Sequence, residues 1–178
     1  EDAVRAGVAV WKTGAALAGM GADAADYDGD GHDDVITANY EREPLTLYRG
    51  RGDGTFVDMA ERSGLMALTW PFLKWGCRLL DFNGDGWRDV FLVNGHVDPK
   101  GTPGRPLNLP DDKWHGKGFA QEALGLAGVG DGKFVNVSAS SGPFFREKHP
   151  ARGAAFGDFD NDGDWDVLIV NIDEPAVL

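Results

Sequence analysis

Apolar residues come in short runs along this chain, and the runs repeat. The small, apolar stretches GADAA (Gly21–Ala25), GCRLL (Gly76–Leu80) and GAAFG (Gly153–Gly157) each lead into an acidic loop. A β-branched or aliphatic run follows each loop: Val35-Ile36, Val90-Phe91-Leu92-Val93 and Val167-Leu168-Ile169-Val170. Runs this short, bounded by Gly and Asp, predict strands rather than helices. Each acidic loop is therefore read as the turn of a β-hairpin. Two tripeptides, Gly52-Asp53-Gly54 and Gly130-Asp131-Gly132, predict tighter hairpin turns, because Gly and Asp tolerate positive φ. The return strands are TFVDM and KFVNV. The tails MAERSGL and VSASSGP allow a single helical turn and nothing longer.

The offsets are fixed. Counted from Asp26, Asp81 and Asp158, a glycine stands five residues before, another five after, an aspartate eight after and an asparagine (Asn39, Asn94, Asn171) thirteen after. A second block, GDGTFVDMAERSGL, recurs as GDGKFVNVSASSGP, while EDAVRAGV matches its tail and NIDEPAVL matches NYEREPLTL. About four short strands per repeated unit predict an all-β fold of β-propeller blades, here a partial propeller of about three. The repeats run roughly over 8–64, 65–142 and a partial 143–178, with 1–7 the tail of a preceding one. One repeat cannot bury its apolar face alone. The chain is therefore expected to be a fragment of a longer propeller, a processed form, or a subunit completed by a protein partner; the alternative is that the partial repeats meet and close a small ring. The second spacing exceeds the first, 77 residues against 55, and the excess falls in an insert at 95–118. With Pro99, Pro103, Pro106 and Pro110 and no periodicity, the insert predicts a surface loop and the best candidate for a binding loop.

The acidic loops carry the chemistry. Numbered from the first aspartate, positions 1, 3, 5 and 9 bear side-chain oxygens: Asp26, Asp28, Asp30, Asp34; Asp81, Asn83, Asp85, Asp89; and Asp158, Asp160, Asp162, Asp166. Position 6 is always glycine, and position 7 (His32, Trp87, Asp164) would offer its backbone carbonyl. This is the ligand order of the first half of an EF-hand loop, without the glutamate at position 12 and without flanking helices. Oxygen ligands alone select a hard cation, and a flexible seven-oxygen set favours Ca²⁺ over Mg²⁺. Like charges this close need compensation, and a divalent ion in each loop supplies it. Three such ions would take the net charge from −12 to about −6.

Composition narrows the rest. A charge of −12 disfavours nucleic acid and anionic membranes. No apolar stretch approaches the length of a membrane span. Cys77 is the only cysteine, set in an apolar run, and is read as a small buried hydrophobe. Arg51-Gly52-Asp53 is the GDG hairpin with an arginine before it. His32, His96, His115 and His149 are scattered; His115 lies beside Asp111, Asp112 and Trp114 in the insert, where a solvated loop is the simpler reading. The run Trp70-Pro71-Phe72-Leu73-Lys74-Trp75 is read as packing between blades. No constellation is left for catalysis once the loop carboxylates are assigned to metal.

D-x-[DN]-x-D-G-x-x-D between strands, with GDGTF following, resembles the FG-GAP/VCBS repeats, the calcium-loop blades also found in integrin α-subunit propellers. The stretch GAAFGDFDNDGDWDVLIVN resembles the VCBS region of ASPIC/UnbV (cartilage acidic protein-like) proteins. The resemblance implies a β-propeller, Ca²⁺ in the three loops and an extracytoplasmic location. The expected function is a non-catalytic, calcium-binding scaffold for protein interaction. Two alternatives are an accessory subunit docked on a larger envelope or membrane energy-transducing complex, and the frame of a polysaccharide-acting enzyme.

Overall fold

The computed structural model describes residues 2–97 and 119–178. Four antiparallel sheets are built from these residues. The first holds β1 (Gly21–Ala25), β2 (Asp34–Ala38), β3 (Thr46–Gly50) and β4 (Phe56–Asp58), paired in that order. The next large sheet repeats the plan with β5 (Lys74–Leu80), β6 (Asp89–Asn94), β8 (Leu124–Gly128) and β9 (Phe134–Asn136). A third unit begins as β11 (Ala151–Gly157) paired with β12 (Asp166–Asn171), and Val177 bridges Ile169 on the far side of β12. These are propeller-type blades, and the described residues close no barrel. The fourth sheet is two residues wide, β7 (Gln121–Glu122) against β10 (Lys148–His149). Helix is confined to single turns, α1 (Asp2–Ala6) and α2 (Leu65–Thr69), and two 3₁₀ turns at Ser138–Ser140 and Phe144–Arg146.

The hairpins form where the pattern places them. Ala25 pairs with Asp34, Leu80 with Asp89 and Gly157 with Asp166, so each acidic loop closes a first-to-second-strand hairpin. The GDG turns close the third-to-fourth-strand hairpins, β3 to β4 and β8 to β9. The asparagine at or just after the end of each second strand has a role that its offset did not reveal. Asn39 Nδ2 donates to Pro44 O at 2.8 Å, Asn94 Nδ2 to Glu122 O at 2.8 Å and Asn171 Nδ2 to Pro175 O at 2.9 Å. One amide thus pins the outbound connection of every blade.

First strands meet across the blades. A Cβ at Gly76 would lie 2.7 Å from the amide nitrogen of Ala154, and one at Gly21 would overlap the carbonyl of Trp75, which is why these strands carry glycine there. The main core fills the seam between the first two blades, with Ile36, Leu47, Leu79, Val90, Leu92 and Leu126 fully or nearly buried. Tyr27, from the first acidic loop, stacks on Phe134 of the next blade at 6.2 Å between ring centroids. A second cluster around Phe91, Val93, Ala151 and Ile169 joins the second blade to the third. Cys77 is buried, and burial pushes its thiol up to about 12, so it behaves as an inert apolar group.

Lys74 departs from the reading of its apolar run. Its side chain is fully buried, and Nζ donates to the carbonyls of Tyr40 (3.0 Å), Glu43 (2.9 Å), Phe72 (2.8 Å) and Thr69 (3.4 Å). Burial pulls the ammonium down to about 8, while Glu43 and Glu41 act in the opposite sense. One cation therefore gathers carbonyls from the first blade and from the segment entering the second. The insert also begins later than expected: Gly95 and His96 are buried, Gly95 bridges Ala120 and His96 N–H donates to Phe119 O at 2.7 Å. Asp111, Asp112, Trp114 and His115 lie outside the described residues.

Candidate metal centres

Each acidic loop is organised around its first aspartate. Asp26 Oδ1 accepts the amides of Gly29 and Asp30, and Oδ2 that of Gly31. Asp81 does the same with Gly84, Asp85 and Gly86. Asp158 accepts from Asp162 and Gly163. Position 5 then accepts from the amide of position 7: Asp30 from His32, Asp85 from Trp87 and Asp162 from Asp164. Such a loop needs left-handed backbone at positions 4 and 6. Gly29 (φ 76°) and Gly31 (φ 85°) supply it in the first loop; the third uses Asn161 (φ 62°) and Gly163 (φ 95°).

Position 9 ties the loop to the sheet. Asp34 accepts Tyr27 N–H at 2.9 Å on Oδ2 and Gly50 N–H at 2.8 Å on Oδ1. Asp89 repeats this with Phe82 at 3.0 Å and Gly128 at 2.8 Å. The donors Gly50 and Gly128 are obligatory glycines, since a Cβ at either would overlap the carbonyl of Asp33 or Arg88. Asp34 and Asp89 are nearly inaccessible, and burial raises both above their ordinary value. Asp30 and Asp81 go the other way. The Arg49 guanidinium lowers Asp30, and the Gly86 amide, with those of Gly84 and Asp85, lowers Asp81.

Position 7 was read for its backbone carbonyl. The side chains of His32 and Trp87 also lie over the first glycine of the GDG turn in their own blade, Gly52 and Gly130. Acidic loop and GDG turn therefore share one end of each of the first two blades. The first two loops also face each other across a cleft lined by Asp26, Gly29, Asp81, Gly86, Trp87 and Arg88.

The donor sets fit a hard cation. One oxygen each from Asp26, Asp28 and Asp34 lie within 4.8 Å of one another, and so do oxygens from Asp158, Asp160 and Asp166. Asp28 Oδ1 is buried with no hydrogen-bond partner, a state that costs free energy unless a cation faces it. In the second loop Asn83 stands at position 3, its Oδ1 accepting from Asp85 N–H and its Nδ2 donating to Asp85 Oδ2. Its carboxylates, Asp81, Asp85 and Asp89, do not converge as those of the other two loops do.

Sequence comparison agrees with this geometry at the level of the class. Residues 26–92, from the first acidic loop through the second and into β6, match the FG-GAP-like repeat. Cartilage acidic protein 1 of Homo sapiens is 29% identical to the chain over 138 residues, which is 77% of this chain and 17% of that protein. The chain thus spans about a sixth of the length of that relative. No described helix is long and apolar enough to cross a membrane.

Proposed function

We propose that this chain is a non-catalytic, calcium-binding propeller module that serves as a scaffold for protein interaction outside the cytoplasm. The observation that carries the metal reading is the all-oxygen cluster of Asp26, Asp28 and Asp34, with the buried Oδ1 of Asp28 left without a partner. The repetition of the same hydrogen-bonded frame in the loops of Asp81 and Asp158 extends the reading to three sites. Asp26, Asp28, Asp30 and Asp34 would hold one ion, Asp81, Asn83, Asp85 and Asp89 a second, and Asp158, Asp160, Asp162 and Asp166 a third. The carbonyls of His32, Trp87 and Asp164 would complete the sets. A bound ion neutralises the crowded carboxylates and locks each first-to-second-strand hairpin.

Loops of this type in extracellular modules bind Ca²⁺ at roughly 10⁻⁴–10⁻³ M, which suits an extracytoplasmic setting. For protein interaction, the support is an apolar cleft of about 300 Å³ lined by residues that include Phe82, Phe91, Leu126, Phe145, Trp165 and Val167. Its mouth carries the half-exposed rings of Phe82 and Trp165.

Calcium titration by calorimetry, with melting curves in Ca²⁺ and in chelator, tests this reading. Saturation at a hundred times Kd adds about 2.7 kcal/mol per site, and Asp26→Asn should remove one site from the stoichiometry. A flat titration together with identical melting in Ca²⁺ and chelator refutes it.

A further inference from the structure

Arg49 distinguishes the first acidic loop from the other two. It sits on β3, next to Gly50, and reaches back over the loop. Its Nε lies 2.7 Å from Asp28 Oδ2, and its terminal nitrogen donates to Asp30 Oδ2 at 2.8 Å. One guanidinium therefore occupies the carboxylates at positions 3 and 5 together. The corresponding residue of the second blade is Ala127: it pairs with Val135 of β9 as Arg49 pairs with Val57 of β4. The second loop has instead shed a charge at position 3, where Asn83 replaces an aspartate. Arg88, at position 8 of that loop, lines the cleft beside Asp81, but among the described residues no ion pair ties it to Asp81, Asp85 or Asp89. The third loop keeps four ligand carboxylates, and among the described residues no cation pairs with them.

We propose that Arg49 is a tethered counter-ion that competes with a divalent cation for Asp28 and Asp30, holding the first loop folded without metal and lowering its affinity for one. This rests on the metal reading given above. The competition is direct, because Asp28 Oδ2 and Asp30 Oδ2 are loop oxygens already engaged by the guanidinium. It is also reversible, because the Arg49 side chain is 44% exposed and can leave through solvent without disturbing the core. Asp28 Oδ1, buried and unpartnered, stays available to an arriving cation. The device grades the sites: the third loop fills first and the first loop fills only as its arginine is displaced.

The experiment compares the full chain with Arg49→Ala, Arg49→Gln and Ala127→Arg. Each is titrated with CaCl₂ by calorimetry and melted in divalent-free buffer. Removal of the guanidinium should tighten one site roughly tenfold, the scale of a unit charge at contact distance when solvent screens most of it, as it does for the half-exposed Arg49. In divalent-free buffer the same variants should melt below the parent. Ala127→Arg should weaken one site by a similar factor, which keeps the test open should an Arg49 variant fold poorly. Binding by all proteins with unchanged or weakened affinity after loss of Arg49 overturns the proposal and leaves the metal reading standing. No binding by any of them overturns both.

Discussion

The acidic loops of the first two blades and the loop of the third share their spacing of aspartates and differ in their surroundings. Asp34 and Asp89 each receive a second amide from a third strand, Gly50 or Gly128, and are 0% and 3% exposed. Asp166 receives only Phe159 N–H, and no described residue donates to its other oxygen. The aromatic residues at position 2 divide differently: only Tyr27 is buried, 4% exposed beneath the neighbouring blade, whereas Phe82 is 40% and Phe159 54% exposed. The loop therefore makes its own turn, and the strands beside it decide how deeply its carboxylates and its ring are buried.

Substitution at position 9 should break the comparison most strongly. Asp34→Ala or Asp89→Ala strands two amides at a buried site and should cost about 3 kcal/mol in urea unfolding, against about 1 kcal/mol for Asp166→Ala. Equal losses at all three positions would mean that the third strand contributes nothing. Gly128→Ala comes next. Its Cβ would overlap the Arg88 carbonyl and push β8 away from Asp89, costing about 2 kcal/mol, a loss visible in the same unfolding curves.

A pH series in divalent-free buffer gives a smaller effect whose sign differs between residues. Burial raises Asp34 and Asp89 above 3.8, so their contribution is fully present below 3.8 and is lost as pH rises through their folded values. Asp30 and Asp81 are lowered, so theirs is present above 3.8 and is lost only as pH falls through their depressed values. The metal-free protein should therefore melt lower as pH is raised from about 4 to about 7, and saturating Ca²⁺ should flatten that slope. A metal-free protein most stable at neutral pH would contradict the assignment of Asp34 and Asp89 as the strained carboxylates. The smallest change is expected for Asn171→Ala. Its carbonyl partner at Pro175 is exposed, so the loss should stay near 0.5 kcal/mol, below that of Asn39→Ala in the buried equivalent.

These contrasts separate what the sequence exposes from what only packing creates. The hairpins were legible because their signals are local: glycine at positions that demand positive φ, GDG at the tight turns, and an apolar run on either side. The convergence of Asp26 with Asp28 and Asp34, and of Asp158 with Asp160 and Asp166, was legible because their spacing is itself local. Arg49 was not, since its partners lie on another strand and a lone arginine in LYRG reads as a solvent-facing residue. Lys74 was missed for a related reason: inside WPFLKW it looks like an interruption of an apolar run, and nothing nearby shows that four carbonyls converge on it. The two-residue pairing of β7 with β10 carries no periodicity at all. Position 9 was read only as a ligand, although Gly50 and Gly128 each stand two residues before a GDG turn and could have hinted at its second task.

The closed base of the second blade's long connection has a practical consequence. Gly95 paired with Ala120, His96 joined to Phe119 and Asn94 clamped to Glu122 bring the two ends together before the intervening residues begin. The free energy of closing that circuit is met at its neck, and lengthening it costs only about 0.6 kcal/mol per doubling. A segment spliced in between Val97 and Phe119, such as an epitope or a reporter, would therefore enter and leave through a neck that β6 and β8 already hold in register.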